Sequence, residues 1–167
     1  SEGGTAYLTD IYDTPPAAGS STAPVTTYAH HTRLVYEERP DPTQSYRSGW
    51  RMDQTVRLSR VDVTSKPFAG SVTAARELLR RYVLGYDPNF HTSELTSLTL
   101  QGRCAETGQP QVTESNEALE YPTACGALAL PAMTFGYSHV QGQLGNGDKA
   151  SASLPGYEPF NEQVQQI

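Results

Sequence analysis

Histidines and a pair of cysteines are the side chains best placed to do chemistry in this 167-residue chain. His30-His31 is the obvious start of a metal site. Adjacent residues of a strand point to opposite faces, however, so the pair cannot chelate one ion from regular strand geometry. His91 and His139 stand far away along the chain, and nothing in their spacing draws them to either one. Surface or hydrogen-bonding histidines are the expectation, and no metal is expected. Asn146-Gly147-Asp148 is a fragment of an alternating calcium-ligand pattern and reads as a turn.

Cys104 and Cys125 form no Cys-x-x-Cys pair, and two thiols without nearby histidines do not make a structural zinc site. Neither sits in a basic or helix-start setting that would lower its pKa and make it a nucleophile. The stretch between them, Ala105 to Ala124, is polar and reads as a long loop. A disulfide closing it is the expectation, worth roughly 3 kcal/mol in the chain-entropy picture, and would place the protein in an oxidising compartment. The other reading is two unpaired small residues in a reduced protein. No Gly-x-Ser-x-Gly, phosphate loop or His-Glu-x-x-His occurs. The expectation is a protein that is not an enzyme and uses no cofactor.

Composition sets the elements that must carry these residues. Apolar residues are 37%, with 14 Gly and 12 Pro, a turn-rich balance closer to an all-β domain than to a helical one. The 10 Tyr against 1 Trp suit half-buried sheet faces, where the ring packs and the hydroxyl stays wet. A net charge of −6 argues against a nucleic-acid surface and an anionic membrane. No apolar run approaches the ~20 residues of a membrane helix, so membrane insertion is not expected. The chain opens Ser1-Glu2-Gly3-Gly4 and reads as a mature protein or as a piece of a larger one.

Strand patterns recur along the chain. Tyr7 to Tyr12 is extended, and Pro15 to Pro24 is a small-residue loop. Tyr28, His30, Thr32, Leu34 and Tyr36 then share one face by period two. Arg39-Pro40-Asp41-Pro42 through Gly49-Trp50 reads as a stiff connector to the next strand, because each proline fixes its own φ and extends the residue before it. In Thr55 to Val63, Val56 and Leu58 share a parity that Val61 and Val63 do not, which predicts a β-bulge near Ser59-Arg60. Leu78 to Tyr86 is a strand, with one helical turn before it an open alternative, and Leu95 to Gly102 is another whose parity changes between Leu95 and Leu98. Met133, Phe135 and Tyr137 alternate as a last strand; Gly142 to Gly156 is a loop. The fold expected is all-β: an antiparallel sheet or β-sandwich of about six to eight strands with long Gly/Ser/Pro-rich loops, as one domain over residues 1–167.

The ordered blocks Arg33-Leu34-Val35-Tyr36-Glu37-Glu38-Arg39-Pro40-Asp41-Pro42, Ser45-Tyr46-Arg47-Ser48-Gly49, Arg57-Leu58-Ser59-Arg60-Val61, Arg81-Tyr82-Val83-Leu84-Gly85-Tyr86, Ser93-Glu94-Leu95-Thr96-Ser97-Leu98 and Leu130 to Tyr137 resemble the β-rich region of SpvB-like and insecticidal toxin complex B-component proteins, within the wider RHS-repeat group. The resemblance implies a virulence-associated, secreted scaffold that lies beside propeller-type repeats and before an RHS shell, with any enzymatic activity in other modules. An ADP-ribosyltransferase module of such proteins would need a Glu-x-Glu. Glu114, Glu117 and Glu120 recur every third residue instead, and no Glu-x-Glu occurs.

The function expected is a non-catalytic structural and interaction module of a secreted protein, whose partners are neighbouring domains or subunits. The alternative is a carbohydrate-binding or adhesion module, with Tyr46 and Trp50 as surface aromatic contacts for a glycan. Tyr82 and Tyr86 would extend that surface if they joined it; core packing is their ordinary role. Arg76, Arg80 and Arg81 read as solvated charges that keep a strand edge from pairing with other chains.

Overall fold

The computed structural model describes residues 5–16, 23–47, 49–68, 73–88, 92–103, 111–122, 125 and 129–137. They form one open antiparallel sheet of six strands in sequence order: β1 (Asp10–Asp13), β2 (His30–Ser45), β3 (Met52–Ser65), β4 (Glu77–Tyr86), β5 (Leu95–Gln101) and β6 (Met133–Thr134). The all-β expectation holds, as a single sheet among the described residues. Helical geometry there is confined to a 3-10 turn, Val25–Thr27, and to Cys125, and none is found at residues 73–76 just before β4. No described helix is long and apolar enough to cross a membrane.

Register explains the parity breaks in the sequence. Val35 pairs with Arg60 but Tyr36 with Leu58, which leaves Ser59 as the extra residue. The bulge read from Val56, Leu58, Val61 and Val63 is therefore present, and it returns all four to one face. A second shift leaves Leu79 over in β4, and a third leaves Thr96 over in β5, between Leu95 and Leu98. At that end Gly85 faces Ser97, and a Cβ on Gly85 would run into the Ser97 hydroxyl.

The two faces differ sharply. One carries Thr32, Leu34 and Tyr36 of β2, Val56, Leu58, Val61 and Val63 of β3, Tyr82 and Leu84 of β4, and Leu98 and Leu100 of β5, all half-buried, with the exposed Ile11, Glu38 and Arg80 at its margins. Tyr7 rests on Tyr36 at one corner, with ring centroids 5.3 Å apart. The other face carries Asp10, Tyr12, His31, Arg33, Asp62, Thr64, Leu78 and Arg81. The segment from Gln111 to Cys125 covers it. Val112, Leu119 and Cys125 from that segment join Leu78 as the buried apolar core, with Tyr121 against it. The long Cys loop thus supplies most of the core rather than lying outside it.

The proline segment corrects the sequence reading. Arg39 to Pro42 do not connect two strands; they lie inside β2, whose pairing with β3 runs to Glu38–Val56 and resumes at Thr43–Gln54. Proline has no N–H to lose where the ladder is interrupted. The turn proper comes later, at Tyr46–Gly49, where Gly49 takes φ +79° and donates its N–H to the Tyr46 carbonyl at 2.9 Å.

The bulged segment is clasped from across the sheet. Arg39 grips both oxygens of Asp41, with Nη2 to Oδ2 at 2.8 Å, and the Ser93 backbone N–H donates to Oδ2 at 2.7 Å. The Ser93 hydroxyl also donates to Asp41, and Arg57 reaches the same hydroxyl at 2.9 Å while pairing with Glu37. Burial would raise the Asp41 pKa, but the hydrogen bonds from Arg39 and Ser93 outweigh it and hold the carboxyl well below the usual carboxylate range. A depressed folded pKa gives stability that is present above the unfolded value near 4 and is lost as pH falls. Asp41→Asn is therefore expected to cost about 1.5–3 kcal/mol at pH 7 in urea unfolding, with the gap narrowing below about pH 4. An unchanged midpoint at pH 7 would show that the clasp holds nothing.

Candidate functional site

The best-formed polar constellation is built where β2 begins, β3 ends and β4 begins. His31 is 1% exposed, and both of its ring nitrogens face carboxylates: Nε2 to Asp10 Oδ1 at 2.9 Å and Nδ1 to Glu114 Oε1 at 2.7 Å. Carboxylates only accept, so the arrangement is satisfied in full when the ring carries both N–H groups. Tyr12 stacks on the imidazole, 4.3 Å between centroids and 7° between planes. The strand alternation behaves as expected: His30 is exposed and His31 faces inward.

Glu114 is the hub. Its Oε1 also accepts from the Thr64 hydroxyl, and its Oε2 takes Arg76 Nε at 2.7 Å. Arg76 Nη1 donates to the carbonyls of Val25 and Tyr28, both at 3.1 Å, so one guanidinium ties the β1–β2 connection to the cover. Beside this lies a second buried pair, Arg81 Nε to Asp62 Oδ1 at 2.6 Å, with the guanidinium 4.9 Å over the Tyr121 ring. Arg60 adds a third contact to Asp62 at 3.1 Å.

The cover turns back at Ser115–Ala118, which exchange both backbone hydrogen bonds around Asn116 (φ 50°) and Glu117 (φ 63°). Two successive positive φ values make a type I′ hairpin turn, which Asn accepts readily and Glu does not. Glu117 is fixed there by Arg33 Nη1, which donates to its carbonyl at 2.5 Å. Its carboxylate bonds Tyr12. Burial first, and then that carboxylate, push the Tyr12 phenol up to about 12. Burial raises Asp10 as well, but hydrogen bonds from Thr9 and His31 and the charge of Arg33 leave its carboxyl below the ordinary value. A cleft of about 450 Å³ opens between Thr26, Ala74, Ala75, Arg76, Asn116 and Glu117.

The residues singled out in the sequence fall in separate places. Tyr46 (63% exposed) and Trp50 (70% exposed) both stand on the β2–β3 hairpin turn. Tyr82 lies within the apolar face, and Tyr86 sits beneath Arg57 with its hydroxyl on the Leu58 carbonyl, so neither joins them. Arg76 and Arg81 are not solvated edge charges: they are 4% and 5% exposed and ion-paired, and of the three only Arg80 is exposed. Cys125 is fully buried, while Cys104, His91, His139 and Asn146-Gly147-Asp148 lie outside the described residues. No group of three or more His, Cys, Asp or Glu fit to hold a metal occurs among the described residues.

The sequence reading named His31, Arg76 and Glu114 separately but missed their pairing, and Thr64 with them, because a pairing across distant segments leaves no spacing to find. Neither a known family model nor any curated protein matches the chain.

Removing the hub leaves the buried Arg76 guanidinium without its carboxylate. Glu114→Ala is expected to cost about 3–5 kcal/mol in urea unfolding, and Glu114→Gln less, since it keeps the shape and one acceptor oxygen. Equal midpoints for Glu114→Ala and the parent chain would show that the cover is held by its apolar residues alone.

Proposed function

We propose that the chain is a non-catalytic structural and interaction module of a larger secreted protein, of the RHS and toxin-complex scaffold kind that its ordered blocks resemble. The observation that supports this reading is an apolar face that the described residues leave only half-buried. Leu34, Val61, Tyr82 and Leu100 line up across four strands, with no buried residue among the eleven half-buried ones named on that face. An antiparallel sheet normally buries one face against another layer. Here the layer laid down by the described residues covers the opposite, charged face.

The occupant proposed is a neighbouring module of the same protein. The face spans about four strands at ~4.8 Å and about three to five residues at ~3.3 Å along each, on the order of 200–350 Å². Counting both partners, that is an interface of roughly 400–700 Å² in total, at the low end of contacts between domains of one chain. The ionic constellation fits a structural role: its carboxylates are each paired with a basic side chain beneath the cover and tie the cover to the sheet. A disulfide between Cys104 and Cys125 belongs to the same proposal, since it would tie the cover to the end of β5 in an oxidising compartment.

Carbene footprinting tests the docking face. Leu34, Val61 and Leu84 are expected to label strongly in the 167-residue chain and to be protected when the chain is expressed within its full reading frame. Equal labelling in both, or a reading frame that adds no module, overturns the proposal. For the disulfide, alkylation of the unfolded, unreduced protein is expected to add no mass until a reductant is supplied; uptake of two labels beforehand would remove the bridge.

A further inference from the structure

We infer that the cleft beside Arg76 is a binding site for a neutral, hydroxyl-rich ligand of the sugar class. It lies at the opposite end of β2 from Tyr46 and Trp50 and belongs to neither the apolar face nor the hairpin turn.

Arg76 carries the inference. Its side chain is 96% removed from solvent, and Nε and Nη1 are both bonded, yet Nη2 has no partner among the described residues. Two buried N–H groups left unmade cost free energy, and an acceptor oxygen arriving in the cleft would recover it. The guanidinium cannot turn away to find another partner. Glu114, the Val25 and Tyr28 carbonyls and the Tyr12 ring, 5.3 Å from its carbon, hold it on several sides.

The rim supplies complementary groups. Asn116 offers an amide donor and acceptor, and Thr26 a hydroxyl, while Ala74 and Ala75 give a small aliphatic wall against which the C–H face of a ring can lie. Asn116 and Glu117 are held at positive φ by the tight turn, and Glu117 is fixed at both its carbonyl and its carboxylate, so the rim is ordered before any ligand arrives.

Charge selects among ligand classes. One guanidinium and the carboxylates of Glu114 and Glu117 line the same cleft, which disfavours an anion. A cation would face the free edge of Arg76, and both Glu114 oxygens are already occupied. Vicinal hydroxyls, which donate and accept at once, match this mixture.

The test begins with a printed glycan array and the intact 167-residue chain. Amide shift titrations with soluble lactose, maltose and cellobiose follow, with sialyllactose as the acidic comparison. Binding is expected to a neutral glycan, with amide shifts at Ala74–Arg76 and Asn116–Glu117 and weaker binding of the acidic counterpart. Asn116→Gly keeps a backbone that accepts positive φ while deleting the amide; it is expected to weaken binding about three- to tenfold, the loss of one hydrogen bond, with unfolding unchanged within error. Trp50→Ala is expected to leave binding intact. The assignment fails if no neutral glycan binds. It fails equally if shifts fall only on Tyr46–Trp50, if Trp50→Ala abolishes binding, or if the acidic sugar binds as tightly as the neutral one.

Discussion

The carboxylate of Glu114 is the interaction on which the arrangement turns. A buried charge is tolerable only when paired and hydrogen-bonded. Glu114 meets that condition by drawing on three distant segments at once: His31 from β2, Thr64 from β3 and Arg76 from the approach to β4. Geometry of this kind permits few alternatives, because moving any one group leaves another charge stranded. The covering segment is thereby fixed in register over the sheet. The Leu78–Val112 backbone bond at 2.8 Å and the Glu114–Arg76 bond at 2.8 Å continue that registration as a short ladder beside β4. Only with the cover in place do Val112, Leu119 and Cys125 reach Leu78.

Apolar surface alone could not have set this register. Among the described residues, four buried apolar ones make a small core for so wide a sheet, and hydrophobic contact has no directional preference. Directionality comes from Glu114 paired with Arg76, and from Arg81, held by Asp62, donating to the Leu119 carbonyl of the cover. We therefore assign the ion pairs to specificity of the cover's position more than to net stability, for which buried pairs are weak contributors.

Much of the sheet was legible because side-chain parity is a local property. Val56, Leu58, Val61 and Val63 disagree in parity yet end on one face, and only an extra residue between them reconciles the two facts. The same reasoning located the irregularity at Leu95–Leu98. The proline segment misled because Pro40 and Pro42 suit a connector and an interrupted strand equally well. What decides between these is whether the ladder resumes beyond them, and that rests on Asp41 meeting Ser93. The arginines misled for a related reason. Arg81 alternates as a solvent-facing residue would, and only the folded-back Leu119 and Tyr121 make its environment an interior. Contacts between segments remote in sequence have no period to betray them.

The resulting sheet reverses the usual division of its faces. Its charges are beneath the cover, and its leucines and valines line the side that the described residues leave open. An ion pair network needs shielding from water to hold a fixed geometry, since exposed pairs are worth little. Apolar side chains need no such partner geometry and can wait for a flat, interdigitating surface. A module made this way keeps its directional interactions for holding its own parts together. Its non-directional surface stays available for a neighbour, where complementarity of shape is enough. That division explains how one short chain can be internally specific through Glu114 while still presenting Leu34, Val61 and Leu84 outward.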